Sequence, residues 1–330
     1  MTDRNAKRPG YKKTRVGWIP EEWDITHLEE ISEINKENLP SSIPDDYSFT
    51  YINLGDVDSG IISISSDQIT FSTAPSRARR IIHKGDILLS TVSPYLKGFA
   101  YIDFLPKDII CSTGFAVITP KYDIDGKFLY QYIFSEKAER YFNACVVGSN
   151  YPALNNSDVE KMSIPLPQLS EQKKIAEILS TWDRAIEQTR KLIDAKQRLK
   201  KGLMQQLLTG RMRFPGFGAP AEKAGELPEG WEEKRLHQLV KLNYGKSPKE
   251  ILDDKGNIPV VGTSDEIRYG NKSLTNKGTI IIGRKGSIDN VSYFNKPVWT
   301  IDTAFYTTDY DGVQSKFLFY LLDFTQLEKF

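Results

Sequence analysis

The sequence predicts an α/β (α+β) chain of two homologous domains joined by a long coiled-coil-type helix, the second domain incomplete. Three observations predict it. A set of short matches recurs in one order about 200 positions apart. A run of helix-forming residues without proline separates the two copies. The second copy runs out at Phe330, before the first has been fully matched. The expected order is a first domain over 1–168, a helical spacer over 169–213, a linker over 214–226 and a second domain over 227–330.

The repeat is read first, because a missed repeat misreads the fold. Ile19-Pro20-Glu21-Glu22-Trp23 returns as Leu227-Pro228-Glu229-Gly230-Trp231, 208 positions later. Leu28 and Ile31 then correspond to Leu236 and Leu239, so each Trp leads into a short helical pattern. Lys84-Gly85-Asp86-Ile87-Leu88-Leu89 pairs with Lys277-Gly278-Thr279-Ile280-Ile281-Ile282 at an offset of 193. Thr113-Gly114-Phe115 pairs with Thr303-Ala304-Phe305, and Phe128-Leu129-Tyr130 with Phe317-Leu318-Phe319, at offsets near 190. The shrinking offset places roughly 15 extra residues in the first copy between Trp23 and Lys84, where a surface loop absorbs an insertion most easily. A complete second copy would need about 70 further residues, so the chain reads as a truncated product.

Between the copies, Glu171 to about Leu208 carries no breaker except Gly202. Ser170 stands where an N-cap belongs, after Pro165 and Pro167. Apolar residues at Ile175, Leu179, Trp182, Ile186, Ile193, Leu199, Leu203 and Leu207 form a heptad-like stripe with a slip near Lys196. About 38 residues give a rod of roughly 57 Å, longer than the ~34–36 Å of one DNA turn. So narrow a stripe reads as a seam for a partner helix. Arg184, Arg190, Lys191, Arg198, Lys200 and Lys201 make a basic face, open to reading as solvated or as a phosphate or partner contact. Thr209-Gly210 ends the helix and Pro215-Gly216 begins the linker.

Composition narrows the function classes. Hydrophobic residues make up 39% and charged residues 26% of the 330, the balance of a globular protein of two or three units. No apolar run of about 18 residues appears, so no membrane partner is expected. Arg4, Lys7, Arg8, Lys12, Lys13 and Arg15 have no apolar stretch behind them, which excludes a secretory signal and makes the cytoplasm the expected location. Cys111 and Cys145 lack metal-ligand spacing and read as reduced, structural thiols. With a net charge of +1, nucleic-acid binding must rest on local basic clusters or on a partner's positive surface.

The motifs resemble one family. Pro165-Leu166-Pro167-Gln168-Leu169-Ser170-Glu171-Gln172-Lys173-Lys174-Ile175-Ala176-Glu177-Ile178-Leu179 is similar to the start of the helical region in type I restriction–modification specificity subunits. The run from Leu207-Leu208-Thr209-Gly210-Arg211 to Phe214-Pro215-Gly216-Phe217 resembles that region's exit. The Pro-Glu-x-Trp segments at Pro20 and Pro228 resemble the openings of the family's target-recognition domains. Tyr51-Ile52-Asn53-Leu54-Gly55-Asp56, Lys84-Gly85-Asp86-Ile87-Leu88 and Gly283-Arg284-Lys285-Gly286-Ser287 add to the resemblance, which runs from about Gly17 to the last residue. It implies a two-headed, non-catalytic reader of a bipartite site in double-stranded DNA. The helical region would set the gap and bind methyltransferase subunits, which would use S-adenosylmethionine, and a restriction/motor subunit would join them. Departing from the family, the chain lacks a second helical region and the end of its second domain.

No chemistry of its own is legible. The chain has no P-loop, no Asn/Asp-Pro-Pro-aromatic methyltransferase motif and no HExxH. His27, His83 and His237 are scattered, and Asp56, Asp86 and Glu136 read as solvated or capping carboxylates. No cofactor or metal is expected. Candidate DNA contacts are Arg77, Arg79 and Arg80 after a Ser-Thr-Ala-Pro-Ser loop; Ser93, Tyr95 and Lys97 in a turn; Asn150 and Tyr151 before the helix; and Arg284, Lys285 and Ser287 at a strand end. Each group is open to a purely structural reading. Trp23, Trp231, Phe115 and Phe305 recur in both copies and read as packing residues. The competing readings are a coiled-coil scaffold without DNA contact, and an inactive remnant or recombination cassette. A seam without an internal mate predicts a homodimer through the spacer helix, or its capture by another subunit.

Overall fold

A computed structural model describes residues 8–105, 107–146, 152–223, 225–262, 268–284 and 290–325. The chain forms two compact units, Met1–Gln188 and Thr189–Phe330. The division falls inside the long helix.

In the first unit, Ile87-Leu88-Leu89-Ser90 is buried throughout and forms the centre of a four-stranded sheet. Successive side chains of a strand point to opposite faces, and the packing obeys that rule. Ile87 and Leu89 join a core with Leu28, Leu129, Ile133, Phe142 and Ile164. Leu88 joins a second core with Ile52, Ile82, Cys111 and Val117. Helices Gly126–Ile133 and Glu136–Cys145 supply one face. The sheet containing Ser48–Ile52, parallel to Ile109–Ser112, supplies the other. A strand covered on both faces favours apolar side chains pointing either way, which explains the unbroken Ile-Leu-Leu run; buried Ser90 at its end donates its hydroxyl to the Val92 carbonyl at 2.7 Å.

The second unit repeats this plan. Thr279–Gly283 is buried at all five positions and lies between Ala304–Thr308 and Val291–Phe294. Ile280 and Ile282 pack with Leu318 and Leu322 of helix Ser315–Thr325. Ile281 faces Val261 and Val298, as Leu88 faces Ile52 and Ile82. Ile258–Val261 runs parallel to Trp299–Thr300, matching the parallel pair of the first unit. Gly85 and Gly278 lie at equivalent turns with φ of 98° and 83°, where a side chain would be strained.

The ladders correct two expectations. Ser90 pairs with Phe115, whereas the equivalent Gly283 pairs with Ala304. Ala304 thus replaces Phe115, and the Phe115–Phe305 match is one residue out. The offset of 189 at Phe128 and Phe317 already holds through the preceding strands, where Cys111 aligns with Thr300 beside Ile52 and Val261. The insertion falls within the expected span but is narrowed. It lies between Ile52 and Lys84, 32 positions apart against 16 from Val261 to Lys277. It is no bare loop: it holds the Val57–Asp58/Ile61–Ile62 hairpin and the strand Ala78–Ile81, which pairs antiparallel with Ile109–Ser112. Backbone pairing satisfies groups that a buried loop would leave orphaned.

The long helix spans Leu169–Leu207, 39 residues or about 58 Å. It begins one residue before the predicted cap, so Ser170 lies inside the first turn. The buried Gln172 organises this end instead: its Nε2 donates to the Pro167 carbonyl at 2.9 Å and its Oε1 accepts from the Asp125 amide at 2.9 Å. Trp23 Nε1 donates to Glu171 Oε2 at 3.1 Å, pinning the helix start to the first unit. At the other end Gly210 turns with φ of 67°, and a Cβ there would lie 2.0 Å from Pro228 Cγ. The linker folds back on this turn, with the Ala221 amide donating to the Gly210 carbonyl at 3.2 Å.

Candidate nucleic-acid interface

Three candidate segments of the first unit meet at one edge of its central sheet. The Thr113 amide donates to the Arg77 carbonyl at 2.8 Å, and the Thr91 amide donates to the Gly114 carbonyl at 2.9 Å. Thr91 Oγ1 donates to that same carbonyl at 2.9 Å. The Leu154 amide donates to Thr91 O at 2.8 Å, and the Ser93 amide to Pro152 O at 2.7 Å. Arg77, the turn at Ser93 and the stretch beginning at Pro152 therefore share one hydrogen-bonded junction. Asn150 and Tyr151 precede Pro152 but lie outside the described residues, as do Lys285 and Ser287.

The arginines divide by their surroundings. Arg77 is exposed. Arg79 stacks over the Phe71 ring at 4.6 Å, which holds its guanidinium in place. Arg80 lies in the strand Ala78–Ile81 and donates to Asn38 Oδ1 at 2.9 Å; partial burial lowers its pKa. Arg80 is thus built into the fold, whereas Arg77 is exposed. Lys97 is also engaged, its Nζ lying 2.9 Å from Glu139 Oε2.

Arg284 occupies the position equivalent to Thr91. Its amide donates to Thr303 O at 3.1 Å, as that of Thr91 does to Gly114 O. The Gly283 amide donates to Asn290 O at 3.2 Å, as Ser90 does to Gly98 O at 3.1 Å. The loops at Ser93 and Arg284, two separate expectations from the sequence, are one loop of the repeat. The Arg284 guanidinium lies 5.2 Å over the Tyr244 ring and donates to Asp302 O at 3.2 Å. These contacts orient it with N–H groups to spare.

The apolar stripe of the helix is largely exposed. Trp182 is 67% exposed, Ile186 and Ile193 are 50%, Leu199 is 54%, and Leu179 and Leu203 are 39%. Only Ile175 and Leu207, near the ends, are half-buried. Ile178 and Leu192, absent from the predicted seam, are exposed at 60% and 58% and widen it.

The carboxylates do structural work. Asp86 is buried and accepts from the His83 amide at 2.6 Å and Thr119 Oγ1 at 2.7 Å; desolvation raises its pKa. Asp56 Oδ2 accepts from the Asn53 amide at 2.9 Å, and Glu136 pairs with Arg140 on an exposed helix face. Among the described residues, no three His, Cys, Asp or Glu side chains are grouped to hold a metal ion, and no helix is long and apolar enough to cross a membrane. Sequence reasoning passed over Thr91, whose equivalence to Arg284 shows only once the two hairpins are superposed by register.

Comparison with known proteins bears on the family and the fold. A family model described as type I restriction modification DNA specificity domain matches residues 20–196 and 228–330. The chain is 29% identical over 262 residues to the type I restriction enzyme MjaIX specificity subunit of Methanocaldococcus jannaschii, covering 76% of this chain and 60% of that protein. It is 25% identical over 206 residues to the HindI specificity subunit of Haemophilus influenzae, covering 61% and 43%. A solved type I restriction–modification S subunit from M. genitalium shares the fold with a TM-score of 0.61 at 17% identity, over 99% of this chain and 81% of that one. A chain from a structure on complex assembly and conformational transition of the type I system gives 0.55 at 26% identity, over 94% and 81%. The chain spans about three fifths of the length of the curated relatives it matches, 60% and 64% for two from M. jannaschii. With one matched stretch on each repeat and most of its residues covered, the chain belongs to the type I restriction–modification DNA specificity domain family.

Proposed function

We propose that this chain reads double-stranded DNA as the non-catalytic specificity subunit of a type I restriction–modification complex. Each repeat would address one half of a bipartite site through the loop that follows its central strand. The Leu169–Leu207 helix would dock adenine-methyltransferase subunits, which bring S-adenosylmethionine, and a restriction/motor subunit would join the same complex. The observation that carries this reading is the shared hairpin closure: the same backbone bonds fix Thr91, ahead of Ser93 and Tyr95, in the first unit and Arg284 in the second. Different side chains on equivalent frames suit an asymmetric site. The test is adenine methylation across a genome with and without this chain, in cells supplying the methyltransferase. A bipartite motif that disappears on deletion is expected; an unchanged pattern refutes the reading.

The exposed helix stripe favours a second association, with another copy of this chain. Two first-unit heads on such a dimer would read a palindromic bipartite site. Light scattering at micromolar concentration is expected to give a dimer, and a clean monomer sinks the idea. A scaffold without DNA contact predicts that reversing the charge of Arg77, Arg79, Arg284 and Lys285 leaves the DNA affinity of the complex unchanged.

A further inference from the structure

The loop of the first unit is a strained, firmly held turn with an apolar tip. Ser93 has φ 48° and ψ 55°, and Lys97 φ 54° and ψ 37°. Both are left-handed without being glycine, a conformation that persists only where the surroundings impose it. Those surroundings are specific. Pro94 is buried; the Leu96 amide donates to Ser93 O at 2.9 Å and the Lys97 amide to Pro94 O at 3.0 Å. The Ser93 amide bond to Pro152 and the Lys97–Glu139 ion pair hold the two ends. The turn leaves Tyr95 53% and Leu96 65% exposed, side by side. A solvated turn gains nothing from an adjacent aromatic and aliphatic pair. A rigid one that presents them to a ligand does, because little conformational freedom remains to be lost on binding.

The neighbours indicate the ligand. Exposed Arg77 is tied to the same junction and supplies a cation for phosphate. Among the features that B-DNA offers in its major groove, the C5-methyl of thymine is the apolar one. In the second unit the connection at this place begins with Arg284, at the position of Thr91, a donor suited to guanine O6 and N7. We infer that the Tyr95–Leu96 tip reads the C5-methyl group of a thymine in the half-site of the first unit, with Leu96 as a specificity-determining residue. This rests on the DNA-reading function proposed above.

The test leaves the protein untouched in its first arm. The full chain, copurified with the methyltransferase subunits it is proposed to dock, selects its site from a randomised duplex pool. Each thymine of that site is then replaced in turn by deoxyuridine, which lacks only the methyl group. One position in one half-site should weaken binding roughly four-fold, the equivalent of about one buried methylene-sized group. In the second arm Leu96→Ala, with its melting temperature checked, should abolish that thymine–uracil difference. No difference at any thymine, or a difference that survives both Leu96→Ala and Tyr95→Ala, overturns the inference alone. A Leu96→Ala variant that loses methyltransferase subunits instead of thymine discrimination overturns it in favour of a protein contact. Failure to select any sequence overturns the DNA-reading function as well.

Discussion

The Thr113 amide and the Arg77 carbonyl, 2.8 Å apart, tie the residue just before the strand Ala78–Ile81 to a turn that both repeats share. Among the described residues the second unit has no counterpart of Ala78–Ile81. The extra strand therefore adds its arginines to an edge whose frame the units otherwise hold in common. The two heads differ in cationic equipment as well as in loop sequence.

Arg77 and Arg80 should separate in experiment. Arg77→Ala is expected to weaken DNA binding across sequences and to reduce the salt dependence by roughly one counterion, with the melting temperature unchanged. Arg80→Ala removes the bond to Asn38 and should lower stability, by roughly 1 kcal/mol. Binding titrations at two salt concentrations, alongside thermal unfolding of both variants, check the pair. Equal melting temperatures for the two would contradict the assignment.

Asp86 makes a pH prediction. Burial raises its carboxyl above the ordinary value of 3.8, so the folded state holds the proton more tightly than the unfolded chain does. The resulting stabilisation is fully present below the unfolded value and is lost as pH rises through the folded one. Asp86→Asn, neutral throughout, should therefore improve relative to the native chain as pH climbs from about 4 to 7. Denaturant unfolding across that range measures the difference, and a trend of opposite sign would show that the hydrogen bonds from His83 and Thr119 outweigh desolvation.

Much of this molecule was legible in the sequence because its constraints are local. The repeat lay open in the buried Ile87–Leu89 and Ile280–Ile282 runs, since a strand covered on two faces favours apolar side chains pointing either way. The helix was legible to within two residues of its observed ends. Register was not: Phe115 and Phe305 are both aromatic neighbours of a turn, and only the ladder shows that Ala304 takes the Phe115 position. The difference between Arg77 and Arg80 was equally hidden. It depends on Asn38, which is distant in sequence, and on a strand that the Ser-Thr-Ala-Pro-Ser run disguised as a loop. Likewise the equivalence of the Ser93 and Arg284 loops arises from hairpin closure, not from similar residues.

Cys111 and Cys145 should differ sharply in reactivity. Cys111 is fully buried, and desolvation pushes its thiol up to about 12, leaving almost no thiolate at pH 8. Cys145 is partly exposed near the end of its helix. Native protein treated with a thiol reagent should label rapidly at one cysteine, and at both in denaturant. Rapid labelling of two thiols in the native state would mean that the core around Ile52 and Val117 opens readily.

Trp182 separates folding from assembly. At 67% exposure it contributes little to the fold of its own chain, so Trp182→Ala should leave the melting temperature within about 0.5 kcal/mol equivalent of the native value. Large aromatic side chains dominate helix–helix and protein interfaces. The same substitution should therefore weaken association through the stripe, with truncation of a central aromatic costing about 2 kcal/mol or more, roughly thirty-fold in affinity. Ile186→Ala, one turn along the same face, should act in the same direction with a smaller effect. Copurification with methyltransferase subunits and light scattering of the chain alone report which partner is lost. If Trp182→Ala unfolds the protein, or if both associations survive it and Ile186→Ala together, the stripe is not the docking face.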